Sequence, residues 1–178
     1  LHYRLRTPAA FDPAVRHPVV TVVYGGPGGQ IVRNAWSAGF AEVLAANGYL
    51  VFSLDNRGTG NRGVAFDAPI YRRLGQVEVA DQIVGVEYLK SLDFVDPERI
   101  GVWGWSGGGS MTLNAMFKFP ELYQTGMAVA PVANQRYYDT IYQERYMGLP
   151  GDNVEGFIEG SPITHADGLR GNLLLVHG

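Results

Sequence analysis

The sequence predicts an α/β fold with a mostly parallel sheet and helices on both of its faces. Apolar, β-branched runs that end in glycine, such as "HPVVTVVYGG", are typical of strands buried on both faces. Segments of helical character follow these runs along the chain. In addition, "GVWGWSGGGSM" combines a strand, a glycine-rich turn and the start of a helix. Strands that alternate with helices build parallel sheets, because the crossover helices cover the faces.

Apolar runs that end in turn-forming residues predict the strands. These runs are "HPVVTVVYGG", "YLVFSLD", Arg99 to Gly104, "YQTGMAVAPV" and "GNLLLVHG". The first helix is predicted in "WSAGFAEVLAANGY" and ends at Asn47-Gly48, and the last follows the glycines and ends near Phe119. The segment from Val77 to Ser91 has the pattern of an amphipathic helix. Its apolar stripe is Val79, Ile83, Val86 and Leu89, and its opposite, polar face is Asp81, Glu87 and Lys90.

Composition narrows the classes of function. With 178 residues, the chain is long enough for one domain or part of one. A net charge of -3 argues against nucleic acid as a partner. The absence of cysteine excludes disulfides and thiolate metal sites, and we expect neither a metal nor an organic cofactor. The chain starts without Met and stops at a strand-like run, so we expect it to be part of a longer protein.

The order strand, G-x-S-x-G, helix is the pattern of a nucleophile elbow, in which Gly104 and Gly108 flank Ser106. The chain reverses so sharply there that side chains two positions before and after the serine would collide. The elbow exposes the serine hydroxyl at the carboxyl end of the sheet and at a helix N-terminus, where developing negative charge is favoured. We therefore predict that Ser106 is a catalytic nucleophile.

Two other interpretations of this turn are open. A glycine-rich turn between a strand and a helix could serve close packing alone, or it could bind phosphate. The phosphate-binding pattern G-x-x-x-x-G-K-[ST] does not occur in the sequence, and Lys118 lies about three helical turns beyond the serine. The phosphate interpretation is therefore the weaker of the two.

A serine nucleophile also needs donors that stabilise the oxyanion of its tetrahedral intermediate. The backbone N–H of Gly107 is the first candidate, because the residue after the nucleophile supplies this donor in such elbows. The loop "YGGPGGQ" should supply the second, from a glycine N–H or from the hydroxyl of Tyr24. The alternative for Tyr24 is an aromatic side chain that only covers the end of a strand.

Several stretches resemble the catalytic domain of the prolyl oligopeptidase family of serine peptidases, and most closely its dipeptidyl peptidase IV branch. They are "VYGGPGGQ", "DNRGTGNRG", "LGQVEVADQI", "FVDPERIGVWGWSGGG", "APVANQRYYDTIYQERYMGLP" and "LLLVHG". The resemblance implies that residues 1–178 form part of an α/β-hydrolase domain, truncated at its C-terminus. It also implies an N-terminal β-propeller that is absent from this chain.

The resemblance also implies roles for individual residues. Ser106 would be the acylated nucleophile, and the hydroxyl of Tyr24 would stabilise the oxyanion together with the N–H of Gly107. A pocket for the substrate residue before the cleaved bond would be formed by Tyr138, Tyr142, Val132 and Trp105. The alternative for these aromatic residues is ordinary packing, with Tyr137 and Tyr146 as core members.

The acid and base of a catalytic triad follow the serine in this fold. Asp152 or Asp167 with His165 or His177 would satisfy that order. The acid, however, usually follows the strand "LLLVH", so we expect both residues beyond Gly178. His177 is then a structural residue at a strand end, and His165 and Asp167 lie on the surface. We expect Arg145 to form a surface salt bridge, and the alternative is that it binds polar groups of the peptide.

Two departures from the family pattern bear on specificity. Gly107 and Gln135 stand where well-known dipeptidyl peptidase IV proteins carry a tyrosine and a tryptophan, so the pocket should be wider or more polar. The resemblance implies release of N-terminal dipeptides with proline or alanine in second position. The alternatives are an acylaminoacyl-peptidase or oligopeptidase, a small-ester carboxylesterase and a non-catalytic binding relative. Peptides are the expected partners, and a homodimer is the expected option for an assembly of the full-length protein. The sequence does not establish where the protein is located, and the periplasm or the cytoplasm is the expectation.

Overall fold

A computed structural model describes residues 1–36 and 39–178. Within these residues one six-stranded sheet has the order β1-β3-β2-β4-β5-β6. Neighbouring strands from β3 to β6 are parallel, whereas β1 pairs with β3 in the antiparallel direction. The strands are β1 (His2–Arg6), β2 (His17–Val22), β3 (Leu50–Asp55), β4 (Val95–Trp105), β5 (Thr125–Val129) and β6 (Asn172–Val176). The predicted α/β fold with a mostly parallel sheet is confirmed.

The helices lie on both faces of the sheet. They are α1 (Phe40–Ala46), α2 (Val64–Asp67), α3 (Val77–Lys90), α4 (Gly107–Lys118), α5 (Thr140–Met147) and α6 (Val154–Gly160). Successive side chains of a strand point to opposite faces, and β4 illustrates this. Val102 belongs to the core cluster shared with α3 and α4. Trp103 instead contacts the ring of Phe40 at the start of α1, with 5.2 Å between the ring centroids.

Strand β1 was not predicted, because "HYRLR" lacks a continuous apolar run. It lies at an edge of the sheet, where one side of the strand has no strand partner. Tyr3 attaches it to the sheet: its ring lies 5.6 Å from that of Phe52, and its hydroxyl is 2.9 Å from that of Tyr88. A search of the sequence for buried apolar runs does not detect aromatic contacts of this kind, so it could not predict this strand.

Two predicted boundaries differ from the structure. Helix α1 begins at Phe40, and residues 37–38 of the predicted helix lie outside the described residues. Strand β4 begins at Val95, before the predicted start at Arg99. Its pairing with β2 is irregular there, because Val95 lies opposite His17 and Ile100 lies opposite Val19. The turn residues Asp96-Pro97 are therefore a bulge inside the strand.

The predicted polar face of α3 is wrong at one position. Val79, Val86 and Leu89 are buried as expected, but Asp81 is buried as well. Its carboxylate accepts a 2.8 Å bond from the backbone N–H of Arg57 and a 2.7 Å bond from the guanidinium Nη2. The ion pair and hydrogen bonds of this carboxylate offset the cost of its desolvation, so the charge does not mark a solvent-facing position.

A second, smaller core lies beneath α5 and α6. It consists of Ile70, Leu74, Val77, Met147 and Phe157. Tyr146 packs against this cluster, as expected of a core member, and so does Tyr142. The expectation for Tyr137 was wrong, because 87% of its surface is exposed at the end of the 3₁₀ helix Gln135–Tyr137. No helix in the described ranges has the length and apolar character needed to cross a membrane.

Candidate active site

Ser106 lies at the junction between β4 and α4 with φ 57° and ψ -116°. A positive φ is unfavourable for a residue with a side chain and costs about 1–3 kcal/mol. Hydrogen bonds on both sides hold this conformation. The N–H of Ser106 donates to the carbonyl of Val129 at 2.8 Å, and its carbonyl accepts from the N–H of Ser110 at 3.0 Å. Backbone strain held by surrounding structure is typical of functional sites.

Close backbone approach explains the glycines around the serine. A β-carbon on Gly104 would lie 2.6 Å from the carbonyl oxygen of Val23 and would overlap the carbonyl of Gly108. A β-carbon on Gly108 would overlap the carbonyl of Val23. The start of α4 therefore packs directly on the end of β2. This geometry agrees with the prediction that glycine at positions 104 and 108 avoids a steric collision at the elbow.

Gly107 differs from these two glycines. A β-carbon there would lie 3.6 Å from Cε2 of Tyr24, which is an ordinary van der Waals distance, and Gly107 has no positive φ. We expect Gly107→Ala to leave the unfolding free energy within about 1 kcal/mol of wild type. Gly108→Ala should lower it by about 3 kcal/mol, because the added carbon overlaps backbone atoms. Thermal unfolding of both variants checks this, and an equal loss of stability would contradict the account.

Tyr24 follows β2, and its half-buried ring packs between the loop at 26–29 and Gly107. A β-carbon on Gly26 would lie 3.1 Å from Cε1 of Tyr24, and one on Gly29 would overlap the ring. The loop is held in place by Gly28, which has φ 70° and donates its N–H to the carbonyl of Gly58 at 2.9 Å. The glycines of "YGGPGG" therefore leave room for the tyrosine ring.

One cavity brings most of the predicted site residues together. Together with its open mouth it encloses about 590 Å³. The predicted residues that line it are Ser106, Gly107, Tyr24, Val132, Tyr138 and Tyr142. Trp105 is not among the lining residues, and 63% of its surface is exposed. The cavity therefore places the hydroxyl of Ser106 beside aromatic side chains and backbone groups that could contact a ligand.

Aromatic side chains form one wall of the cavity. The rings of Tyr138 and Tyr142 are perpendicular, with centroids 5.4 Å apart, and Tyr146 continues the row at 4.8 Å from Tyr142. Asp139 caps α5 by accepting a 2.7 Å bond from the N–H of Tyr142, which fixes the start of the helix. Burial, followed by the charges of Tyr24 and other neighbours, raises the pKa of the Tyr142 hydroxyl, so it stays protonated.

Four polar side chains form the floor of the same cavity: Glu78, Asn114, Gln135 and Gln143. We call them the polar floor. All four are buried, and they come from α3, α4, the 3₁₀ helix Gln135–Tyr137 and α5. Only Gln135 was noted from the sequence. The others were missed because each is a single polar residue in a helix, and the tertiary fold alone makes them neighbours.

The prolyl oligopeptidase family model matches residues 36–178, which is most of the chain. The chain belongs to the prolyl oligopeptidase family. It is 43% identical over 177 residues to "Probable dipeptidyl-aminopeptidase B" of Trichophyton verrucosum, covering 97% of this chain and 20% of the relative. It is 38% identical over 185 residues to human dipeptidyl peptidase 8, covering 100% of this chain and 21% of the relative.

The fold is shared with a solved member of the family. The crystal structure of Porphyromonas gingivalis dipeptidyl peptidase 4 matches with a TM-score of 0.96 and 41% identity, over 99% of this chain and 25% of that chain. The structure described here is therefore part of an α/β-hydrolase domain. This prolyl oligopeptidase family chain spans about a fifth to a quarter of the length of these relatives.

Candidate acids and bases lie away from the cavity of this family member. His165 contacts the backbone carbonyl of Glu159 at 3.0 Å, and His177 is exposed after β6. The residues that line the cavity with Ser106 include neither these two histidines nor Asp152 and Asp167. Arg145 lies over the ring of Tyr146, 5.4 Å from its centroid. The described residues contain no group of three or more acidic or histidine side chains arranged to hold a metal.

Glu78 is the titratable group of the polar floor. Its carboxylate accepts a 2.5 Å bond from the N–H of Gly75 and a 3.3 Å bond from that of Gln76. Burial raises the pKa of Glu78 to about 7, although these bonds and the charge of Lys118 oppose the rise. Near neutral pH the protein therefore holds both the neutral and the charged form of this carboxyl.

The raised pKa of Glu78 predicts how stability depends on pH. The folded protein holds this proton between pH 4.5 and 7, whereas the unfolded chain releases it near 4.5. Stability should therefore fall as the pH rises through this window, by about 3 kcal/mol in total. Glu78→Gln should remove this decrease, whereas Glu87→Gln, at an exposed position of α3, should retain it. Unfolding measured from pH 4.5 to 8 tests this, and parallel profiles for all three proteins would contradict it.

Proposed function

We propose that this chain supplies the nucleophile and the oxyanion donors of a serine peptidase that releases dipeptides from the free amino end of peptides. Proline and alanine are accepted before the cleaved bond. One observation carries the proposal: Ser106, strained at its elbow, shares a cavity with Tyr24 and with the ring pair of Tyr138 and Tyr142. The relatives named dipeptidyl peptidase 8 and dipeptidyl-aminopeptidase B support it.

The reaction follows the acyl-enzyme route of serine peptidases. The hydroxyl oxygen of Ser106 attacks the carbonyl carbon of the second substrate residue, and the amine of the third residue leaves. A histidine takes the serine proton and passes it to the leaving amine, while an aspartate orients the histidine. We propose that both residues follow Gly178 in the full-length protein, and that a β-propeller precedes this domain. Water then attacks the acyl-enzyme, releases the dipeptide and restores the serine.

Two donors are available for the oxyanion. The N–H of Gly107 belongs to the first turn of α4, where N–H groups have no acceptor within the helix. The helix N-terminus also favours the negative charge that develops there. Tyr24 contributes a hydroxyl as the second donor, since its ring packs beside Gly107. Preorganised donors of this type stabilise the transition state more than the bound substrate.

Matched substrates with and without a free amino group test the proposal. The full-length protein should cleave the aminomethylcoumarin amides of Gly-Pro and Ala-Ala, and it should not cleave their N-acetylated forms. Release of the coumarin from the blocked forms alone would instead indicate an oligopeptidase, and removal of only the N-acetylated first residue would indicate an acylaminoacyl-peptidase. Hydrolysis of small esters alone would indicate a carboxylesterase. The inactive Ser106→Ala protein is the control for contaminating peptidases.

A further inference from the structure

The carbonyl of Gly160 fixes the orientation of two amides in the polar floor. It accepts a 3.3 Å bond from Nδ2 of Asn114 and a 3.4 Å bond from Nε2 of Gln135. A carbonyl oxygen can only accept hydrogen bonds, so the nitrogen of each amide must face it. The oxygen of each amide then points away from Gly160.

This orientation leaves two acceptors without a donor. Oε1 of Gln135 accepts a 2.6 Å bond from Nε2 of Gln143, which turns Oε1 of Gln143 away. That atom and Oδ1 of Asn114 are buried and receive no hydrogen bond from the part of the chain that the structure describes. The two side chains are only 4% and 1% exposed. A buried acceptor without a donor costs about 1–3 kcal/mol, so a ligand that donates to it gains this energy.

Two neighbouring donors, Ser110 and Lys118, are already engaged. Ser110 lines the cavity, but its hydroxyl donates to the carbonyl of Val132 at 3.1 Å. The ammonium of Lys118 donates to the carbonyl of Gly75 at 3.1 Å and to Glu159 at 2.8 Å. Glu78 adds a carboxyl group to the same floor. Neither Ser110 nor Lys118 therefore donates to the two free acceptors.

We propose that the polar floor binds a hydrogen-bond donor at the end of the substrate side chain that precedes the cleaved bond. A hydroxyl and an ammonium group share this chemistry, and Oδ1 of Asn114 and Oε1 of Gln143 are the acceptors. The inference rests on the proposed function, because it assumes that this side chain enters the cavity beside Ser106. It predicts that a donor-bearing residue is preferred to an apolar residue of the same size.

Three matched pairs of dipeptidyl aminomethylcoumarin substrates test the inference on the full-length protein. The pairs differ only in the second residue: serine against 2-aminobutyrate, 4-hydroxyproline against proline, and lysine against norleucine. We expect the donor-bearing member of at least one pair to have a kcat/KM at least about 10-fold higher, because a site built to bind a donor rejects the analogue without it. The pair that responds distinguishes a hydroxyl from an ammonium.

Two variants test whether the polar floor causes the preference for donor-bearing substrates. Gln143→Leu and Asn114→Leu should each reduce at least about 10-fold the ratio of kcat/KM between the donor-bearing and the apolar member of the responding pair. Gln82→Leu is the matched control: Gln82 is a buried amide of α3 outside the cavity, and its loss should not change the preference. The rate at which a fluorophosphonate labels Ser106 reports folding independently of the substrate side chain.

The outcomes separate this inference from the proposed function. Equal or better cleavage of the apolar member in all three pairs would overturn the inference and leave dipeptide release intact. The inference is also overturned if the preference is unchanged in both floor variants. If the wild-type protein cleaves none of the six substrates, the proposed function fails, and the inference fails with it.

Discussion

Replacing Ser106 by alanine is expected to abolish dipeptide release by the full-length protein. The variant lacks the oxygen that forms the acyl-enzyme, and loss of the nucleophile from a catalytic triad lowers kcat by about 10⁶-fold. The backbone of the elbow should persist, because its hydrogen bonds to Val129 and Ser110 use main-chain atoms of residue 106. Alanine also fits wherever serine does. Steady-state hydrolysis of Gly-Pro aminomethylcoumarin measures the loss.

Binding and stability serve as controls for the Ser106→Ala variant. Its affinity for a product dipeptide and its Tm should stay close to those of wild type, because no contact of the aromatic wall or the polar floor changes. Turnover above about 1% of the wild-type rate would contradict a nucleophilic role, since the residual activity of a triad mutant is far lower. Loss of both activity and Tm would instead assign the serine a structural role.

Tyr24→Phe has the second largest expected effect. Removal of one oxyanion donor lowers kcat by about 10²–10³-fold, while KM should change little, because the donor acts in the transition state. Phenylalanine keeps the ring that packs between Gly29 and Gly107. The interpretation of Tyr24 as a mere aromatic cover of the strand end predicts no loss of kcat. The two views therefore differ in the measured kcat alone.

Tyr146→Phe is a matched control for this measurement. Tyr146 packs against the second core and does not line the cavity, so removal of its hydroxyl should change kcat less than about threefold. A loss of similar size in both variants would show that any tyrosine hydroxyl in this region supports folding. A loss confined to Tyr24→Phe assigns its hydroxyl to the reaction.

Local sequence patterns were enough to predict most of the strands and helices. The elbow at Ser106 could be predicted because its sterics depend on residues two positions away, and the buried strands because each is one continuous apolar run. Strand β1 and the burial of Asp81 could not, since each depends on one partner far along the chain. That partner is β3 for the strand and Arg57 for the carboxylate. Pairing over such separations leaves no local periodicity.

In the candidate site, too, the residues found through local motifs were predicted, whereas those brought together only by the tertiary structure were not. Motifs and resemblance led from the sequence to Ser106 and to five predicted neighbours that line one cavity with it: Gly107, Tyr24, Val132, Tyr138 and Tyr142. Except for Gln135, the polar floor was not predicted, because its four members lie on four separate elements. The orientation of its amides depends on a single backbone carbonyl, that of Gly160. Such a determinant exists only in three dimensions.

Covalent labelling tests the central claim, that Ser106 is the nucleophile, most directly. The full-length protein is incubated with a fluorophosphonate, digested, and analysed by mass spectrometry. We predict one adduct, on the peptide that contains Ser106, with a rate that falls when a dipeptidyl substrate competes and with no adduct in the Ser106→Ala variant. An adduct on another serine, or an unlabelled Ser106 in an actively hydrolysing protein, would contradict the claim.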